Sequence, residues 1–154
     1  MYDEIDLAGI VPLIAMPSSP GNVRPVSEVA GERIYQSYIG SSANPGYRDF
    51  GVSAMMVQGR QVNDRVSFDV NPTSRAQLET LVRDGHITHL LHAGARLHQA
   101  GCNGCIGMGQ APATNELSLR TVPRNFPARS GPRPATVSLV CPLYPSHAPH
   151  VRTR

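Results

Sequence analysis

The sequence contains no lysine and no tryptophan, and only three cysteines in 154 residues. Aromatic residues make up 5% of the chain and charged residues 16%. Each shortage excludes something. All 14 basic residues are arginine, which reads as a coding bias of a GC-rich genome, and the net charge is only +3. The arginines are scattered, form no basic run and have few aromatics between them, so the footprint of a nucleic-acid-binding surface is missing. An odd number of cysteines makes no disulfide framework and implies a reducing, cytoplasmic setting. No apolar run approaches the length of a membrane span. The acidic start MYDEIDL lacks the charged start and apolar core of a signal peptide.

What is present is enough for one domain: 40% apolar residues over a length that can bury a core. Fourteen glycines and 14 prolines promise many loops. Residues 1–25, ending in VPLIAMPSSPGNVRP, read as an irregular lead-in. The β-branched and aromatic stretch Arg33–Ile39 predicts a strand. The turn GSSANPG follows, then a helix over about Tyr47–Gln58. Val66–Val70 predicts a second strand. Ser74, with Gln77 three residues on, predicts a capping box that opens a helix ending near Gly85. A further helix is expected over His86–Ala93, and short strands near Ala95–Gln99, Leu117–Val122 and Thr136–Cys141.

Strands separated by helices predict an α/β fold, a three-layer α/β/α sandwich with a mostly parallel sheet over residues 26–141. Residues 142–154 are expected to remain unpacked, because Pro142, Pro145 and Pro149 interrupt a stretch with no apolar period.

Sheets of this kind place their sites in loops at the carboxyl ends of strands. Three loops qualify: Gly40–Gly46, Gly101–Gln110 and Pro123–Gly131. The second, within AGCNGCIGMGQAP, spends two of the three cysteines at CxxC spacing, Cys102 and Cys105. By itself that spacing is open to a metal site, a redox pair or two incidental thiols. A thioredoxin-like context is missing, and so is the preceding aromatic residue. Zinc would need two more ligands, and the nearest histidines, His92 and His98, stand at no zinc spacing. His86, His89 and His92 fall mostly opposite Ile87, Leu90 and Leu91 and predict a solvated helix face. Gly107-Met108-Gly109 lacks the third glycine of a phosphate loop, since Pro112 falls there. Thiols and guanidinium groups on converging backbone-rich loops suit an anionic group and a carboxylate ligand.

Three segments together, YIGSSANPGYRDFG, AGARLHQAGCNGCIGMGQAP and LRTVPRNFPARSG, resemble the aconitase and isopropylmalate dehydratase family over roughly Asp6–Leu139. The resemblance implies the cluster-bearing α/β/α domain of a hydro-lyase. The family's 4Fe-4S cluster is held by three cysteines, and its open iron acts on a citrate- or isopropylmalate-like hydroxy acid. Residue by residue, it assigns Cys102 and Cys105 to two cluster ligands, Arg124 and Arg129 to the substrate carboxylates, and Asn44 to the substrate loop. Ser42 stands where the family has its third cysteine, and a serine oxygen is a poor substitute for a soft thiolate. Ala128 replaces the glycine usual before the second arginine. After Leu139 the likeness ends, and the tail reads as a truncation or frameshift. The family's acid and base residues lie in other domains, so the chain alone is expected to be inactive. Its partners would be the hydroxy-acid substrate and those domains in trans. The alternative expectation is a non-catalytic remnant or metal-binding module that keeps the fold.

Overall fold

The computed structural model describes residues 6–131 and 136–140, and the backbone of 151–153. In chain order the elements are β1 (Leu13–Ala15), β2 (Val23–Pro25), β3 (Gln36–Gly40), α1 (Tyr47–Val57), β4 (Arg60–Val62), β5 (Ser67–Asn71), α2 (Arg75–Arg83), α3 (His86–His92), β6 (Arg96–Leu97), β7 (Leu117–Arg120), β8 (Thr136–Leu139) and β9 (Val151–Thr153). Seven strands form one sheet in the order β2-β1-β8-β7-β3-β5-β6. The five strands from β8 to β6 run parallel, and β1 and β2 add an antiparallel edge. The expected class, α/β with a mostly parallel sheet, is the class found. Among the described residues no helix is long and apolar enough to cross a membrane.

The three helices pack on one another and share one face of the sheet. Phe50 and Ala54 of α1, Leu81 of α2, and Ile87 and Leu90 of α3 bury against Ile39 of β3 and Phe68 and Val70 of β5. Side chains alternate across a strand, so Tyr38 points the other way, into a second cluster with Cys105 and Val122. That other face is covered by the loop after β6, which contains a 3-10 turn at Gly104–Ile106. The layers are therefore helix, sheet and ordered loop.

Local chemistry explains the helix starts. The Asp49 carboxylate accepts from Gly46 N–H at 2.9 Å ahead of α1. Ser74 Oγ accepts from Gln77 N–H at 3.2 Å, which is half of the expected capping box. The other half goes elsewhere, because Gln77 Oε1 accepts from Thr73 N–H at 2.7 Å. On α3, Ile87 and Leu90 are buried as the period predicts, but Leu91 is exposed, one residue beyond the apolar stripe.

The lead-in expected to be irregular contributes the β1–β2 hairpin, joined to the sheet through Ala15 opposite Leu139. Strands of three residues are too short for alternation to show. Residue 141 and, of the C-terminal tail, residues 142–150 and 154 lie outside the described residues. Within it, β9 pairs antiparallel with β4, Val62 opposite Val151; β4 itself carried no clear strand pattern.

Candidate thiol-bearing site

Because β3, β5, β6 and β7 are mutually parallel, the loops that follow them leave from one edge of the sheet. The first loop begins at Gly40, whose φ is +142°. A Cβ there would collide with the Asn71 backbone of the neighbouring strand, so the close approach of β3 to β5 requires glycine. Ser41 then folds the loop on itself. Its buried Oγ accepts from Ala43 N–H at 3.2 Å and Asn44 N–H at 3.1 Å, and donates to Asn44 O at 2.8 Å. This tight turn leaves Ser42 exposed at its tip. Asn44 Nδ2 donates to Thr121 O at 2.9 Å, and Gly40 N–H donates to Thr121 Oγ1 at 3.0 Å. Asn44 therefore ties this loop to the start of the arginine loop.

The second loop carries the thiols. Cys105 is buried in the 3-10 turn and Cys102 is exposed just before it. Gly104 rests on the Tyr38 phenol so closely that a Cβ would overlap the ring and its hydroxyl. Beneath the turn lies Arg120, wholly buried. Its Nη1 donates to Gly104 O at 2.6 Å, its Nη2 to Gln110 O at 2.8 Å and Gln36 Oε1 at 2.7 Å, and its Nε to Ser118 Oγ at 2.9 Å. The guanidinium also stacks on Tyr38 at 4.8 Å. Burial lowers the Arg120 pKa to about 10, which leaves it charged at neutral pH. Burial likewise raises the Tyr38 phenol above its ordinary range, and Tyr38 Oη donates to Asn71 Oδ1 at 2.7 Å. Asp69 completes the polar layer, accepting from Ser67 Oγ at 2.7 Å and Gln36 Nε2 at 3.2 Å and contacting His98 Nε2 at 2.8 Å.

The third loop supplies Arg124, which is exposed, and Arg129, which is half-buried. Asn125 anchors this loop by donating from Nδ2 to Met16 O at 2.9 Å and Val137 O at 3.1 Å. Ser130 Oγ donates to Cys105 O at 2.8 Å. Arg129 lies close enough to the thiols for its charge to act on both Cys102 and Cys105. Its Nε is buried without a hydrogen-bond partner among the described residues.

Four of the residues singled out in the sequence thus meet. The Ser42 loop tip lies within electrostatic reach of Cys102, and Cys105 Sγ lies 3.7 Å from Cys102 O. A hydrogen bond from Cys105, then one from Ser42, hold the Cys102 thiol below its ordinary value, with Arg129 adding to the effect. Burial first, and the hydrogen bond to Cys102 second, push Cys105 up to about 11. Asn44 adjoins the group through its own loop, and Arg124 makes no described contact with it. No group of three or more His, Cys, Asp or Glu side chains among the described residues could hold a metal ion. The convergent donors are two thiols and one hydroxyl. They fall one thiolate short of a three-thiolate set, so the donor set does not fit a three-cysteine cluster.

Sequence reasoning missed Arg120, Tyr38, Asn71 and Asp69, which support the loop from below. The available signal was the alternation Leu117-Ser118-Leu119-Arg120, in which the polar residues are the buried ones.

A mostly parallel α/β sheet with two thiols, a serine and an arginine gathered where its strands end defines the class as an α/β domain with a thiol-bearing loop site. The profile of the aconitase family (aconitate hydratase) matches residues 27–145, and the chain belongs to that family. It is 39% identical over 140 residues to the 3-isopropylmalate dehydratase large subunit 1 of Methanopyrus kandleri, covering 90% of this chain and 33% of that protein. It is 37% identical over 141 residues to the homoaconitase large subunit of Thermus thermophilus, covering 90% of this chain and 34% of the relative. A methanogen homoaconitase large subunit of Methanocaldococcus jannaschii is 36% identical over 129 residues, which is 83% of this chain and 31% of that one. The chain spans about a third of the length of these relatives.

Proposed function

We propose that the chain is the thiol-bearing domain of an aconitase-type hydro-lyase. In this reading it contributes to dehydration and rehydration of a citrate- or isopropylmalate-like hydroxy acid, in the cytoplasm, and does not turn over substrate alone. The observation that carries the reading is the meeting of Ser42, Cys102, Cys105 and Arg129 where the strands end, in a chain of this family.

What these residues can do is bind and orient. Arg129 and the exposed Arg124 offer planar forks suited to carboxylates. The half-buried Arg129 is fixed by its own loop, since its N–H donates to Phe126 O at 3.1 Å. Asn44 holds the first loop against the third. Hydration chemistry also needs a base to take a proton from carbon and an acid to protonate the leaving hydroxyl. Among the described site residues no carboxylate or histidine stands beside the thiols to do either. Those groups, and the remaining two thirds of a large subunit, would come from other domains or a partner.

Ser42 favours a second reading, a non-catalytic module that keeps the fold, because it removes the third thiolate from an otherwise assembled site. Parallel iron and sulfide reconstitution of wild type and Ser42→Cys, with bound iron and aconitate formation measured, tests both. We expect Ser42→Cys to retain more iron and neither protein to turn over. Turnover by wild type, well above a Cys102→Ala/Cys105→Ala control, would overturn the assignment of inactivity. Equal iron in the two proteins would show that position 42 is not the third ligand position.

A further inference from the structure

We propose that the cleft between the arginine loop and the β1–β2 hairpin binds one neutral hydroxyl, that of water or of a small alcohol, and that Asn125 positions Arg129 through it. The proposal does not rest on the hydro-lyase reading, since it needs only the loop Pro123–Gly131 and the strands that anchor it.

Three observations carry it. First, the Asn125 side chain, 3% exposed, has only one orientation open to it. Its Nδ2 donates to Met16 O at 2.9 Å, Val137 O at 3.1 Å and Ala15 O at 3.4 Å. Turning the amide over would set Oδ1 against three carbonyl oxygens. Oδ1 is thereby committed to the other side, where it is buried with no hydrogen-bond partner among the described residues. Second, Arg129 Nε is the converse case, a buried donor with no partner among the described residues. Its backbone is not free to shift toward one, since Arg129 N–H donates to Phe126 O at 3.1 Å and Ser130 Oγ donates to Cys105 O at 2.8 Å. Third, the two residues line one narrow cleft, together with Pro17, Ser18 and Val137. About 10 Å³ of it is open to the centre of a water molecule, which is room for one water.

A lone acceptor and a lone donor on one small space define what fits there. Burying both unpaired is costly, and native interiors rarely do so. A carboxylate or phosphate could accept from Nε–H but has no hydrogen to give the Asn125 oxygen. An ammonium or metal ion could satisfy that oxygen but would be set against the guanidinium. A hydroxyl does both at once, accepting from Nε–H and donating to Oδ1. Because the guanidinium is planar, holding Nε also sets the direction of the two Nη groups. Asn125 is therefore a positioning residue. It reaches Arg129 through the hydroxyl and fixes which way the fork faces.

The full chain, carrying isotope-labelled arginine and dialysed into plain buffer, tests this by nuclear magnetic resonance. The Arg129 Nε–H signal, assigned by its loss in Arg129→Lys, should show a cross-peak to the water resonance with the sign of a long-lived contact. Its exchange with solvent should be roughly tenfold slower than that of the exposed Arg124 Nε–H. A cross-peak to a carbon-bound proton foreign to the protein would assign the hydroxyl to an alcohol instead of water, and the same pairing would hold. Val137→Leu fills the cleft without touching either polar group. It should remove the hydroxyl cross-peak and bring Nε–H exchange close to that of Arg124, while the Arg129 backbone amide stays as protected as in wild type. Three results would each overturn the proposal: wild-type exchange at Arg129 Nε as fast as at Arg124, cross-peaks from Nε–H to protein protons alone, or an undiminished hydroxyl cross-peak in folded Val137→Leu. The wild-type spectrum decides the matter even if the variant fails to fold, and no iron count or turnover enters it.

Discussion

The two faces of the β3–β5–β7 sheet are built from different chemistry. Toward the helices the strands present Ile39, Phe68 and Val70, and the cluster they join is entirely apolar. Toward the loop they present Gln36, Tyr38, Asp69, Asn71, Ser118 and Arg120, every one of them buried. Apolar burial is non-directional and tolerates small shifts. A buried hydrogen-bond network fixes position, since each unpaired donor or acceptor is costly. The helix face therefore supplies stability, and the loop face spends some of it to hold the CxxC turn in one place.

The largest break of this comparison is on the helix face. Phe50 is fully buried between α1 and the sheet, and Phe50→Ala should cost about 3–5 kcal/mol through lost burial and the cavity left behind. Chemical denaturation reads this directly. In whatever fraction stays folded, amide exchange across Gly104–Gln110 should match wild type, because Phe50 and Cys105 belong to separate buried clusters.

Arg120→Met makes the converse break. It orphans Gln110 O and strips a charged donor from Gly104 O and Gln36 Oε1, which keep only Gly107 N–H and Ser118 Oγ–H, while removing a charge that is itself expensive to bury. The global cost should be smaller, roughly 1–3 kcal/mol, but amide exchange across Gly104–Gln110 should rise far more than in α1 or α3. Arg120→Lys should not rescue it, since one ammonium cannot span acceptors that a planar fork reaches in several directions. Uniform loosening of both faces would show that they are not separable.

The helix face was legible in the sequence because it obeys apolar periodicity: Leu78 and Leu81 of α2, and Ile87 and Leu90 of α3. The loop face was not, because its buried residues are the polar half of each strand's alternation, and alternation alone assigns that half to solvent. Arg120 and Asp69 look like surface residues until the loop covers them. The site was partly legible for another reason. Ser42, Cys102, Cys105 and Arg129 lie in motif segments whose loops leave the same sheet edge once the strands are parallel. The β1–β2 hairpin was hidden by brevity and by Pro12, Pro17 and Pro20, yet Asn125 uses it to brace the arginine loop through Ala15 and Met16 carbonyls.

The smallest effect lies where polar bonds meet water. Tyr47 Oη donates to Asp84 Oδ2 at 2.7 Å and contacts His86 Nε2 at 3.2 Å, linking the start of α1 to the α2–α3 junction on the outer rim of the helix layer. The hydrogen bond from Tyr47, then that from Arg83, hold the Asp84 carboxyl below its ordinary 3.8. The same bond raises the Tyr47 phenol above its ordinary 10.0. A carboxyl depressed on folding stabilises above its unfolded pKa, and that contribution is lost as the pH falls through the folded value. A phenol raised on folding stabilises below its unfolded pKa, and that contribution is lost as the pH rises through the folded value. Tyr47→Phe should therefore lower Tm slightly at neutral pH, remove the phenol's share of the alkaline fall and flatten the acid fall. Arg83 Nε, 3.1 Å from Asp84 Oδ1, keeps part of the acid dependence. Thermal melts of both proteins across the acid and alkaline limbs read this out, and identical profiles would show that the bond contributes nothing to folding. A small change is expected because an exposed pair trades one set of water contacts for another. The hydrogen bonds around Arg120 have no water to return to.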